Sequence, residues 1–142
     1  GGVLLMHLAG IASKYFDYAD LLESHHEMKV DAPSGTALSI AESMIEGRGK
    51  GFKQNVAELQ TLDGTRGGDF QGINVHSARM PGRVARHEVV FGALGQTLTM
   101  IHDSINRESF MPGVMIGVKH VVDQDSLVIG LASVLGLDKS KP

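Results

Sequence analysis

Three observations on this 142-residue chain predict an α+β fold, a mixed and largely antiparallel sheet with helices packed on one face. Helical periodicity recurs near both ends and once between them. Strand-length runs, some strictly alternating, fill the middle. The resulting order, α-β-α-β-β-β-α-β, lacks the regular alternation of a doubly wound parallel sheet. The length suits one domain, residues 1–142, with a single core.

Residues 3–16 place Leu4, Leu8, Ile11, Ala12, Tyr15 and Phe16 at helical spacing, which predicts a helix burying that stripe. Residues 19–25 read as a strand, and the adjacent Leu21 and Leu22 suggest burial on both faces. Asp31-Ala32-Pro33-Ser34-Gly35-Thr36 is a loop, because Pro33 steers Ala32 away from helical torsions and Gly35 loosens the backbone. Ser34 or Thr36 can cap the next helix, whose Ala37, Ile40, Ala41, Met44 and Ile45 share a face. Gly47-Arg48-Gly49-Lys50-Gly51 closes that helix as a C-cap and turn. Residues 54–72 are polar and glycine-rich, a long loop with room for one short strand. Strands follow at 73–80, 87–93 and 96–102, the last two joined as a hairpin across Ala93-Leu94-Gly95. Thr97, Thr99 and Ile101 alternate with Leu98, Met100 and His102, as in a two-faced sheet. A helix begins near Ser109 with Pro112 in its first turn and Val114, Val118, Val121 and Val122 as its core stripe; a strand at 126–131 and a short tail complete the chain. The sheet face left bare by the helices is expected to be covered by another subunit.

Composition removes several function classes. With 13 Lys+Arg against 16 Asp+Glu the formal net charge is -3, so nothing favours nucleic acid as a partner. The absence of cysteine excludes disulfides, thiolate nucleophiles and Cys-built zinc sites. No apolar run is long enough to span a bilayer and no secretory signal is present, so no membrane partner and a cytoplasmic location are expected. The chain opens Gly1-Gly2 and enters a helix at once, which reads as the cut end of a longer protein.

The chemistry concentrates in one stretch. His25 and His26 end a strand, where open sheets place their sites, and Lys29 adds a cation in the following loop. Gly35 and Thr36 open a helix, offering unpaired N–H groups and the positive end of its dipole. Together these form a carboxylate or phosphate cradle with an imidazole alongside. The same pattern also fits a strand, loop and capped helix whose histidines bond locally.

His-His-x-x-Lys-x-Asp-Ala-Pro-Ser-Gly-Thr-Ala, from His25 to Ala37, resembles the signature of the dihydrodipicolinate reductases, nicotinamide-dependent enzymes of lysine and diaminopimelate synthesis. Arg79, the strand around His87 and Phe91, and His102-Asp103-Ser104, Arg107, Phe110 and Pro112-Gly113-Val114 extend the similarity, in a form like that of actinobacterial members. The resemblance covers the C-terminal, substrate-binding and tetramerisation half of that family. It implies an oxidoreductase that transfers hydride from NADPH or NADH to 4-hydroxy-tetrahydrodipicolinate. It implies His25 as general acid, with Lys29 the other proton-donor candidate. It further implies that His26, Gly35 and Thr36 hold substrate carboxylates, that Arg107 serves the second carboxylate, and that the enzyme is a homotetramer. An Arg107–Asp103 ion pair is the plainer alternative for that arginine.

The family's N-terminal Rossmann domain precedes this segment and is missing from the chain. No Gly-x-Gly-x-x-Gly occurs, since Phe52 stands where Gly47 and Gly49 would need a third glycine; Gly49-Lys50-Gly51 lacks the hydroxyl residue of a P-loop. No cofactor-binding residue and no metal ligand is therefore expected here, and the chain alone is expected to be inactive as a reductase. Two alternatives are a non-catalytic dicarboxylate-binding or assembly module, and a zinc hydrolase built from His76, His87 and His102.

Overall fold

A computed structural model describes residues 1–137; the tail at 138–142 lies outside the described residues. The first helix, α1 (Gly2–Ala12), runs into a 3-10 turn at Ser13–Tyr15, and Phe16 is already extended. Then come β1 (Tyr18–His25), α2 (Gly35–Arg48), a long loop, β2 (Gly68–Phe70), β3 (Ile73–Arg79), β4 (Ala85–Ala93) and β5 (Gln96–Ser104). A 3-10 turn (Arg107–Phe110), α3 (Met111–Val121) and a short α4 (Leu131–Val134) complete the described chain. The sheet order is β2-β3-β1-β4-β5. Only β1 and β3 are parallel, with α2 in their crossover; every other neighbour is antiparallel.

One face of the sheet carries Ala19, Leu21, Ile73, Val75, Val89 and Phe91, all buried beneath Leu5 and Ala9 of α1 and Ala37, Ile40, Ala41 and Met44 of α2. The buried face of α2 is the expected one, Ala37, Ile40, Ala41 and Met44 with Ile45 packed against them, and Leu38 is left on its exposed side. Its ends also match: Ser34 Oγ accepts from the Ala37 N–H, and Gly49 closes the helix at φ +75°, donating to Ile45 O.

The buried side of α1 differs from expectation. Leu4, Leu8, Ile11 and Tyr15 face out, while Leu5, Ala9 and Gly10 are buried. This helix is apolar nearly all round, so periodicity cannot choose its face; small residues choose it. A Cβ on Gly10 would lie 2.7 Å from Ser43 Oγ, and one on Gly47 would lie 2.0 Å from Gly10 O, so the glycines let α1 and α2 touch backbone to backbone.

Three further expectations are corrected. Leu22 points to the outer sheet face and is 37% exposed rather than buried. Val114, Val118, Val121 and Val122 are exposed, because among the described residues α3 packs chiefly on α4 and the preceding 3-10 turn. Residues 126–131 form no strand: an apolar run becomes a strand only where a sheet edge accepts it, and no described ladder includes this one.

Candidate active site

β1 is the centre of the site because it is the centre of the sheet. Strand alternation puts Leu21, Glu23 and His25 on the core-facing side, so a carboxylate and an imidazole follow a leucine into the interior. From β3 the same face receives Ser77 and Arg79, level with Glu23 and His25; from β4 it receives His87, opposite Glu23; from β5 it receives His102, opposite His87.

Glu23 is the hub. Arg79 donates from Nη1 to Oε2 (2.9 Å) and from Nη2 to Oε1 (2.8 Å), the Ser34 N–H donates to Oε1 (3.2 Å), and His25 Nδ1 lies 2.6 Å from Oε2. Burial alone would raise this carboxyl, yet hydrogen bonds from Arg79, the Ser77 hydroxyl, His25 and Ser34 outweigh it and hold the pKa at about 2. His87 is buried too, with its ring 5.3 Å from His25 in an edge-on arrangement. Burial and the neighbouring His25 lower its pKa to about 4, so it is a neutral imidazole. Its Nε2 lies 3.2 Å from Ser34 Oγ, whereas its Nδ1 is buried without a protein partner.

The loop from β1 to α2 carries the cations and anchors. Lys29 Nζ donates to Asp31 Oδ1 at 2.6 Å, which, opposed by slight desolvation, holds the Asp31 carboxyl below its ordinary value. Arg79 Nη2 donates to Asp31 O at 2.6 Å, so the guanidinium that neutralises Glu23 also ties down the Lys29 loop. Ser34, fully buried, caps α2, and the Gly35 N–H at the first helical position bonds the Asp31 carboxylate.

These groups border a cavity of about 930 Å³. His25, His26, Lys29, Thr36 and Arg107 all line it, with His87, His102, Ser104 and, across from them, Phe110, Pro112 and Val114. Gly35 begins α2 beside Thr36 but does not line the cavity. Arg107 makes no ion pair among the described residues; Asp103 pairs instead with Arg83 (3.1 Å) and Arg86 (3.9 Å). The lining is basic and imidazole-rich around a partly apolar hollow, an arrangement suited to a small anionic molecule with an apolar part.

The histidines of the zinc alternative do not converge. His87 and His102 are cross-strand neighbours on the inner face, while His76 lies on the outer face, 3.7 Å from Asp20. No group of three or more metal-ligating side chains occurs among the described residues. Sequence reasoning missed Glu23, the parts played by Arg79 and His87, and the bonds of Ser34 to Glu23 and His87 beyond its expected cap. One signal was present: a glutamate two residues after a buried leucine on an alternating strand must itself be buried and therefore paired.

The chain matches the family model described as dihydrodipicolinate reductase, C-terminus, over residues 1–135. It is 46% identical over 135 residues to 4-hydroxy-tetrahydrodipicolinate reductase of Shouchella clausii, covering 95% of this chain and 51% of that protein. It is 50% identical over 138 residues to the reductase of the same name from Corynebacterium urealyticum, covering 96% and 56%. Among solved structures, dipicolinate-bound dihydrodipicolinate reductase from Paenisporosarcina sp. TG-14 superposes with a TM-score of 0.83 at 42% identity, covering 93% of this chain and 50% of that one. The chain thus spans about half the length of the relatives it matches.

Proposed function

The chain belongs to the family of dihydrodipicolinate reductase C-terminal domains, and from that premise we propose that it is the substrate-binding and proton-donating half of a 4-hydroxy-tetrahydrodipicolinate reductase. The observation that carries this reading is the convergence of His25, His26, Lys29, Thr36 and Arg107 on one cavity. The dipicolinate held by the Paenisporosarcina relative supports a ring dicarboxylate as the occupant.

In this reading the substrate gains a hydride and a proton and loses its hydroxyl as water, giving tetrahydrodipicolinate. Addition of hydride to a conjugated C=C/C=N unit builds negative charge on carbon or nitrogen, and a positioned acid must quench it. His25 is that acid, because its Nδ1 is held by Glu23 and its other ring nitrogen is left for the cavity. Lys29 keeps two N–H donors beyond the one given to Asp31 and, with Thr36 at the mouth of α2, holds one carboxylate, while Gly35, outside the cavity, bonds Asp31 through its N–H. His26 and Arg107 hold the other, which fixes the ring's orientation.

The hydride comes from NADPH or NADH. Pyrophosphate cradles at strand–helix turns use a Gly-x-Gly-x-x-Gly run for close backbone approach, and the turn from β1 into α2 holds one glycine alone, Gly35 at the start of the helix. The chain's residues therefore do not fit the dinucleotide phosphates, and in this reading other residues of the longer protein bind it, so the 142-residue chain alone is inactive. No helix among the described residues is long and apolar enough to cross a membrane, and the cytoplasm is the location we assign. A homotetramer joined through the outer sheet face completes the reading, supported by Tyr18, Leu22 and Ile101 standing exposed there.

Calorimetric titration with pyridine-2,6-dicarboxylate tests it. Saturable 1:1 binding is expected, weakened about tenfold or more by Lys29→Ala, since a hydrogen bond to a charged group contributes roughly 1.5–3 kcal/mol. His25→Gln is expected to change affinity little. Equal affinity for pyridine-2-carboxylate, or no binding, contradicts the reading.

A further inference from the structure

The Glu23 carboxylate is more than half of a buried ion pair. Arg79 alone neutralises it, bonding both oxygens at 2.8 and 2.9 Å, and the Ser34 N–H adds a third donor. Glu23 nevertheless approaches His25 Nδ1 to 2.6 Å, the shortest of its contacts, from a side chain with no solvent exposure. We propose that Glu23 is the positioning residue of the active site, accepting from His25 Nδ1–H so that the imidazole is locked in one tautomer with Nε2 directed into the substrate cavity. The inference deepens the proposed function and rests on His25 being its proton donor.

The geometry carries the assignment. Glu23 and His25 are two residues apart on one strand, so their side chains leave the same face of β1 in parallel, and rotation of the ring is limited by His87 standing edge-on at 5.3 Å. The carboxylate can only accept, because it stays ionised among its donors. The ring nitrogen facing it must therefore carry a proton, both in the imidazolium and after Nε2 has given its proton to the substrate. The acid thus returns to a single neutral form, with Nδ1–H on Glu23 and a bare Nε2 ready to be reprotonated from water. Fixing the imidazole this way is the established use of a buried carboxylate behind a catalytic histidine. Arg79 extends the device: the same guanidinium bonds Asp31 O at 2.6 Å, so the acid and the loop bearing Lys29 share one anchor.

The test is long-range 1H–15N correlation of the histidine rings in the uniformly labelled 142-residue chain, at a pH where His25 is neutral. The Nδ1–H tautomer is expected for His25, with a downfield, slowly exchanging proton; the Nε2–H tautomer overturns the proposal without any variant. Glu23→Gln is expected to invert the tautomer. Arg79 and the Ser34 N–H would claim its single amide oxygen, turning the NH2 group toward Nδ1 and forcing the proton to Nε2. A folded Glu23→Gln chain that keeps Nδ1–H shows that another group sets the tautomer and overturns the proposal. Glu23→Asp, which keeps the charge, should keep Nδ1–H. Adding pyridine-2,6-dicarboxylate to the same samples separates the two readings. Ligand shifts with an Nε2–H ring remove only the role of Glu23, and an Nδ1–H ring without ligand shifts removes only the proposed substrate.

Discussion

His87 and Glu23 oppose each other across β1 and β4, and acid acts on them in successive windows. The folded pKa of His87, about 4, lies below its ordinary 6.5, so the unfolded chain takes up the proton first. Its contribution is complete above about pH 6.5 and is lost as pH falls toward 4, a change of about 3 kcal/mol for a ring this buried. Glu23, about 2 when folded against 4.5, gives stability present above 4.5 and lost as pH falls through 2. Urea midpoints measured from pH 7 to pH 3 should fall in both windows, and His87→Gln should flatten the limb between 6.5 and 4 while sparing the lower one. An unchanged upper limb in that variant contradicts a neutral, buried His87.

At the scale of elements, the β1–α2 junction joins fold to chemistry. Ser34 Oγ takes the Ala37 N–H and meets His87 Nε2, so one hydroxyl both caps the helix and satisfies the neutral imidazole. Ser34→Ala should lower stability by about 1–2 kcal/mol, read from the denaturant midpoint, because a lost cap typically costs about 1 and a second buried atom loses its partner. A change within experimental error means the cap contributes nothing. This junction was legible in the sequence because Pro33, Ser34 and Gly35 have local, strong backbone preferences. The hairpin turn at Gly95, φ +74°, was legible for the same reason. The buried side of α1 was not, since Gly10 and Gly47 find each other only across 37 residues of chain. Nor was the partnership of Glu23 with Arg79, which depends on β3 lying parallel to β1 in register His25↔Arg79. Local chemistry grouped His25, His26, Lys29, Gly35 and Thr36, of which all but Gly35 line one cavity; the Glu23–Arg79 pair behind them is tertiary and escaped.

At the scale of the molecule, the two helices cover one sheet face and leave the other bare. Tyr18, Leu22 and Ile101 stand on that outer face with Thr97 and Thr99, and Asp20, Glu88 and Asp103 lie among them. Light scattering after size exclusion should find the chain associated, and Ile101→Asp should shift it toward monomer; a monomeric unsubstituted chain contradicts assembly through this sheet. The proposed function depends on the cavity between β1, the mouth of α2 and the segment carrying Arg107. A crystal structure of the chain with pyridine-2,6-dicarboxylate tests this most directly. One carboxylate is expected within roughly 3 Å of Lys29 Nζ and the Thr36 N–H, with the ring beside His25 Nε2. A ligand bound elsewhere, or bound here with His25 turned away from the ring, would contradict it.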